Sequence, residues 1–165
     1  MVRRAKEKTT VLVLTVLLIA FYLLADVGKT IGLHAGCSWG CRLAYPFLHA
    51  SLLHVLGNCW CLLSLVFIYD VSWLSLLLAY VVAITYPDAF LSSANIVGLS
   101  GCVFFLFGRV ALQVQRKLYY QCCMLSFIGI GFLFTNVAGW LHLYCYAVGL
   151  VVALLNTPFI ERRRL

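Results

Sequence analysis

Residues 118–160 read LYYQCCMLSFIGIGFLFTNVAGWLHLYCYAVGLVVALLNTPFI, 43 residues without a single charge. As one α-helix this stretch would be about 64 Å long, roughly twice the hydrocarbon thickness of a bilayer. It must therefore turn once. Thr135-Asn136-Val137-Ala138-Gly139 is the only turn-like segment inside it. Two membrane spans follow, at approximately 118–134 and 140–160. Working outward, four more apolar runs predict spans at approximately 9–25, 46–69, 71–86 and 98–114. The polar and small cluster Ser92-Ser93-Ala94-Asn95 reads as a loop before the fourth span. The expected fold is all-α, a polytopic six-helix membrane bundle occupying 1–165 as a single domain.

Composition agrees. Of the 165 residues 64% are hydrophobic and 10% charged, and mean hydropathy is +1.03. Soluble domains carry about 25% charged residues, so a soluble globular domain, a disordered chain and a disulfide-stapled module are excluded. The net charge of +7 is distributed at the ends of apolar runs. That is a topology signal, with the lipid bilayer as partner, and no nucleic-acid face is implied. Ten of the twelve basic residues share one side if there are six spans: Arg3, Arg4, Lys6, Lys8, Arg109, Arg116, Lys117, Arg162, Arg163 and Arg164. Lys29 and Arg42 take the other, so both termini are expected in the cytoplasm. The first run lacks a small-x-small cleavage site and is expected to be retained. Cys59, Cys61, Cys102, Cys122, Cys123 and Cys145 lie in apolar runs and are expected to be small buried hydrophobes.

Polar groups at membrane depth suggest function. The second span carries His49, His54 and Asn58, with His54 and Asn58 four apart on one helix face. The fourth opens with Gly98-Leu99-Ser100-Gly101 and the sixth with Trp140-Leu141-His142. All three meet the outer membrane face at the end bearing these residues. A lone serine in such a helix usually bonds its own backbone, which suffices for Ser51, Ser64, Ser72, Ser75 and Ser126. A lone histidine is more often an interhelical hydrogen-bond partner than a catalyst. Ser100 and His142 at matching depth make a joint pattern. Serine needs an adjacent base, and histidine takes and returns a proton near neutral pH. Asp26, Asp70 and Asp88 all sit at helix ends, so the pattern supports a Ser–His dyad without a carboxylate. Residues 86–97 are expected to dip into the bundle and form a water-filled cavity.

Tyr45-Pro46-Phe47-Leu48-His49, the His-x4-His-x3-Asn of His49, His54 and Asn58, the Gly-x-Ser-Gly of 98–101, and His142 with Gly149 resemble the rhomboid intramembrane serine proteases, in that family's order, over roughly residues 43–153. The resemblance implies a minimal bacterial-type core in the inner membrane, needing no cofactor. It makes Ser100 the nucleophile and His142 the general base. Asn58 and His54 become oxyanion-stabilising side chains, helped by the backbone N–H groups of Ser100 and Leu99. His49 becomes a supporting residue at the mouth of the site. Gly98, Gly101 and Gly108 permit close approach, and Phe104 stands where an aromatic packs on the catalytic imidazole. The implied activity is endopeptidase cleavage of transmembrane segments in single-span membrane proteins, with a small residue before the cut. Two features depart from the family. Trp39 stands three residues before Arg42 instead of beside it. Cys145 replaces a common glycine, so the sixth span is expected slightly farther from the fourth.

Other readings compete. One is a rhomboid-like protein that binds membrane helices without cutting them; loss of Ser100 or His142 would point there, and both are present. Another is a metal site using His34, Cys37, Cys41, His49 and His54, or a disulfide between Cys37 and Cys41. Without His-Glu-x2-His or a carboxylate at depth, no catalytic metal is expected. A channel is least favoured, because no span is lined repeatedly by polar groups.

Overall fold

The computed structural model describes residues 3–24, 31–135 and 137–161, with side chains described for 5–156 of these. Asp26, Lys29, Asn136, Arg162, Arg163 and Arg164, used above for topology and turns, lie outside the described residues. The described chain is all-helical: α1 (Arg3–Leu24), α2 (Trp39–Ala44), α3 (Leu52–Ile68), α4 (Trp73–Ile84), α5 (Ser100–Val110), α6 (Lys117–Gly131) and α7 (Gly139–Glu161). Short 3-10 turns occupy Tyr45–Phe47 and Asp88–Phe90. The only described pairing of extended backbone is an isolated antiparallel bridge between Leu33 and Ile96.

Helix α5 is the centre. Gly101, Cys102, Val103, Phe104, Phe105, Leu106, Gly108 and Val110 are all buried along its length. It packs most closely on α7, then on α4 and α3, while α1 lies against α3. Outward faces are apolar instead of charged. Leu12, Val16 and Leu17 on α1, Leu53 and Trp60 on α3, Leu118 on α6 and Leu155 on α7 are exposed. Apolar outer surfaces on this scale require a membrane or a large partner. By length and composition, Ala5–Leu24 and Gly139–Asn156 can cross a membrane. Trp39–Phe47 with Leu52–Ile68, bent by 82°, makes a third span if the pair is counted as one. The apolar helices α4 and α5 have 12 and 11 residues, so they are about 18 and 16 Å long.

Several expected boundaries shift for identifiable reasons. The second predicted span does not begin at 46, and His49 precedes its helix. Ser51 is extended and accepts the His54 N–H on its side chain, so it caps the start of α3. The segment before it, predicted as loop, contains the six-residue α2, capped by Ser38. The fourth predicted span is shorter at both ends. Gly98 at φ 113° cannot continue a helix, and residues 111–116 form turns after Val110. Gln113 then clasps the α3–α4 connection, accepting the Asp70 N–H at 2.9 Å. Cys122 and Cys123 are exposed, contrary to expectation. Helix α6 buries only the face carrying Met124, Ile128 and Gly131, and these cysteines fall outside it.

Candidate active site

The entry to α5 is built by residues far away in sequence. Gly98 donates its N–H to Tyr45 O at 2.9 Å, and the Tyr45 hydroxyl donates to Ala83 O at 3.0 Å. The 3-10 turn around Pro46 thereby fixes where α5 starts. Gly98 is required twice. Its positive φ disfavours any side chain, and a Cβ there would lie 2.6 Å from His54 Cε1. Asn58 Nδ2 would lie 3.4 Å from that same point. His54 and Asn58 therefore both border the turn that delivers Ser100.

Ser100 Oγ lies 2.9 Å from His142 Nε2. His142 occupies the first turn of α7, its N–H donated to Ala138 O at 3.0 Å. The ring is buried and stacks on Phe104, with centroids 4.1 Å apart and planes 12° apart. Phe104 follows Ser100 by four residues, so one face of α5 presents both the hydroxyl and the ring that flanks the imidazole. The described carboxylate side chains are elsewhere. Glu7 is on α1, Asp70 joins α3 to α4, and Asp88 pairs with Arg42 at 2.5 Å.

The close approach of α5 and α7 has a specific cause. A Cβ on Gly108 would strike Tyr146 O and lie 2.7 Å from Leu150 N; one on Gly149 would strike Phe105 O. The two backbones touch at this crossing. Nearer the dyad, the fully buried Cys145 fills the gap, its Sγ 3.5 Å from where a Gly101 Cβ would be. Cysteine at 145 thus still allows the dyad to close.

Donors for an oxyanion are distributed differently from the sequence expectation. Asn58 Nδ2 is buried with no hydrogen-bond partner in the structure. The start of α5 leaves the Ser100 N–H without an intrahelical acceptor. The Leu99 N–H, expected to join them, is instead donated to His49 Nε2 at 3.4 Å. His49 packs edge-on against the His54 ring, centroids 5.1 Å apart, beside the turn that precedes α5.

Arg42 entered the sequence reading as a topology charge and as a displaced family residue, with no partner assigned, yet it is 5% exposed. It donates to Ile84 O at 3.0 Å and Tyr86 O at 2.8 Å, and its guanidinium lies 5.7 Å from the Trp39 ring centroid. It satisfies carbonyls at the end of α4 and ties α2 to the segment that follows α4. A charged residue so near an apolar run, together with the family's Trp–Arg pattern, was the available signal. Residues 86–97 do not dip into the bundle as a whole. Positions 92–95 are exposed, and Ala35 N–H and Leu33 N–H bond Ser92 O and Ile96 O. Within 86–97 only Tyr86 is buried in the core, and just beyond the segment Gly98 and Leu99 enter it. Cys37 and Cys41 are free thiols, and His34 Nδ1 lies 3.0 Å from Gly32 O. Among the described residues no group of three or more His, Cys, Asp or Glu is placed to hold a metal ion. No protein-family model, characterised protein or solved structure matches the chain.

Proposed function

We propose that this chain is an intramembrane serine endopeptidase of the rhomboid type, cutting transmembrane segments of single-span membrane proteins. The observation that carries the reading is the 2.9 Å contact between Ser100 Oγ and His142 Nε2, joining two helices at their N-terminal ends. In this reading α1 and α3 to α7 are six spans of a multi-pass protein in a bacterial inner membrane, with both termini cytoplasmic. The short α5 is compatible with that arrangement because it is surrounded by protein, where irregular backbone before it is tolerated.

The chemistry follows from the contacts. Ser100 Oγ attacks the scissile carbonyl carbon while its proton passes to His142 Nε2. The resulting oxyanion accepts hydrogen bonds from Asn58 Nδ2 and the Ser100 N–H. Collapse breaks the C–N bond, and the leaving amine takes the proton from Nε2. Water then attacks the acyl-Ser100 ester, giving a proton to the same nitrogen, and the carboxylic acid leaves as Oγ is reprotonated. The stacked Phe104 ring takes over the orienting role that a carboxylate has in a triad.

The test is cleavage of a single-span substrate in liposomes by the wild type and by Ser100→Ala. A product that appears only with the wild type supports the protease. Capture without cleavage by both proteins supports a helix-binding protein instead.

Two further outcomes are expected. Asn58→Ala lowers kcat about 10²-fold, the usual effect of losing one oxyanion donor, and leaves KM nearly unchanged. A wild-type kcat would remove Asn58 from the mechanism. Cys145→Leu overfills the Gly101 contact, separates α5 from α7 and lowers kcat, whereas Cys145→Gly is tolerated. Full activity in folded Cys145→Leu would show that this face does not set the dyad geometry.

A further inference from the structure

A dyad without a carboxylate needs another way to hold its imidazole, and Phe104 is only the first ring in line. Phe104 is itself near-parallel to Phe127 of α6, with centroids 5.9 Å apart and planes 10° apart. His142, Phe104 and Phe127 thus form a run of three stacked rings drawn from α7, α5 and α6. Both separations lie within the range where aromatic pairs attract.

The attachment of α6 makes this contact informative. Its polar ties are near its start: Tyr120 OH donates to Phe107 O at 2.8 Å, and Tyr146 OH bonds Gln121. Phe127 lies seven residues beyond Tyr120, about 10 Å farther along the helix. There the stack joins α6 to the residue that flanks the catalytic base. Phe127 is 60% exposed, so substituting it disturbs the stack without emptying the core.

We propose that Phe127 is a positioning residue: acting through Phe104, it fixes the His142 ring, so the placement of α6 sets the reactivity of Ser100. This rests on the serine-protease reading.

The experiment measures the rate at which a small fluorophosphonate labels Ser100 in detergent, a reaction that needs no transmembrane substrate to enter the bundle. Wild type must label and Ser100→Ala must not; if wild type does not label, the hydrolase reading fails and the positioning role with it. Phe127→Leu is expected to label about threefold to tenfold more slowly, the range an aromatic pair supports. Its kcat for a single-span substrate falls in parallel, KM stays near wild type, and Phe127→Tyr restores both rates. In a Phe104→Leu background, Phe127→Leu adds nothing further. Labelling at the wild-type rate in Phe127→Leu overturns the proposal, whether cleavage is unchanged or faster. Faster cleavage would mean that α6 controls only substrate entry. A slow Phe127→Tyr with a wild-type melting temperature also overturns it, because the ring would then be present without its effect.

Discussion

Ser100→Ala and His142→Ala are each expected to reduce cleavage of a single-span substrate by at least about 10⁴-fold, with the double variant no slower than either single one. The reason is that, in the proposed mechanism, the two groups act as one unit across their 2.9 Å contact. Without the base, the hydroxyl keeps its proton; without the hydroxyl, the base has nothing to activate. Ser100 is only half-buried, so its loss removes one hydrogen bond worth about 1 kcal/mol and leaves the fold intact. His142→Ala removes a buried ring from the Phe104 stack, so His142→Asn is the companion variant that keeps polar volume in place. Initial rates in liposomes, with expression and melting temperature recorded in parallel, decide the matter. Wild-type cleavage by Ser100→Ala would end the serine-protease reading, and a double variant slower than both singles would mean the pair does not work as one.

What could be read from sequence depended on whether the signal was local. Ser100, His142 and Asn58 stood out because polar side chains in apolar helices need a reason. Their meeting required α5 and α7 to touch, and that depends on Gly108 and Gly149, singled out through resemblance and not through periodicity. The break before α3 was hidden for a different reason. Residues 43–69 carry no charge apart from two histidines, so hydropathy gives no sign that Tyr45 and Pro46 are buried in a turn. Ser51 carried the cap signal but looked like any transmembrane serine. Arg42 could not be assigned without knowing that the carbonyls of Ile84 and Tyr86 arrive beside it. The pairing of 92–96 with 33–35 is likewise long-range and leaves no local pattern. Cys122 and Cys123 were misplaced because α6 is apolar on nearly every face, so its sequence does not mark which one is buried.

Gly149→Ala is expected to be among the most damaging single-methyl additions at the described glycines. The added Cβ would strike Phe105 O and lie 2.9 Å from Phe105 C and 3.1 Å from Arg109 N. These are backbone atoms in the second half of α5, so no side chain can swing aside. The helices must separate, and overpacking of this kind costs about 1–3 kcal/mol. For a chain of this size that lowers the melting temperature by roughly 2–12 °C. Activity falls further than stability, because His142 lies seven residues from Gly149 and Ser100 eight from Gly108, about 10–12 Å from the crossing. A displacement of the crossing at that distance is carried along two stiff helices directly into the dyad contact. We expect cleavage to drop more than about tenfold even below the new melting temperature, since small misplacement of reacting groups is heavily penalised. Gly57→Ala is the control. A Cβ there meets nothing within 4 Å, and alanine favours the helix by about 0.5–1 kcal/mol over glycine. That variant should melt no lower than wild type and cleave normally. If Gly149→Ala behaved like Gly57→Ala, α5 and α7 would not be in backbone contact, and the 2.9 Å dyad would need some other means of closure.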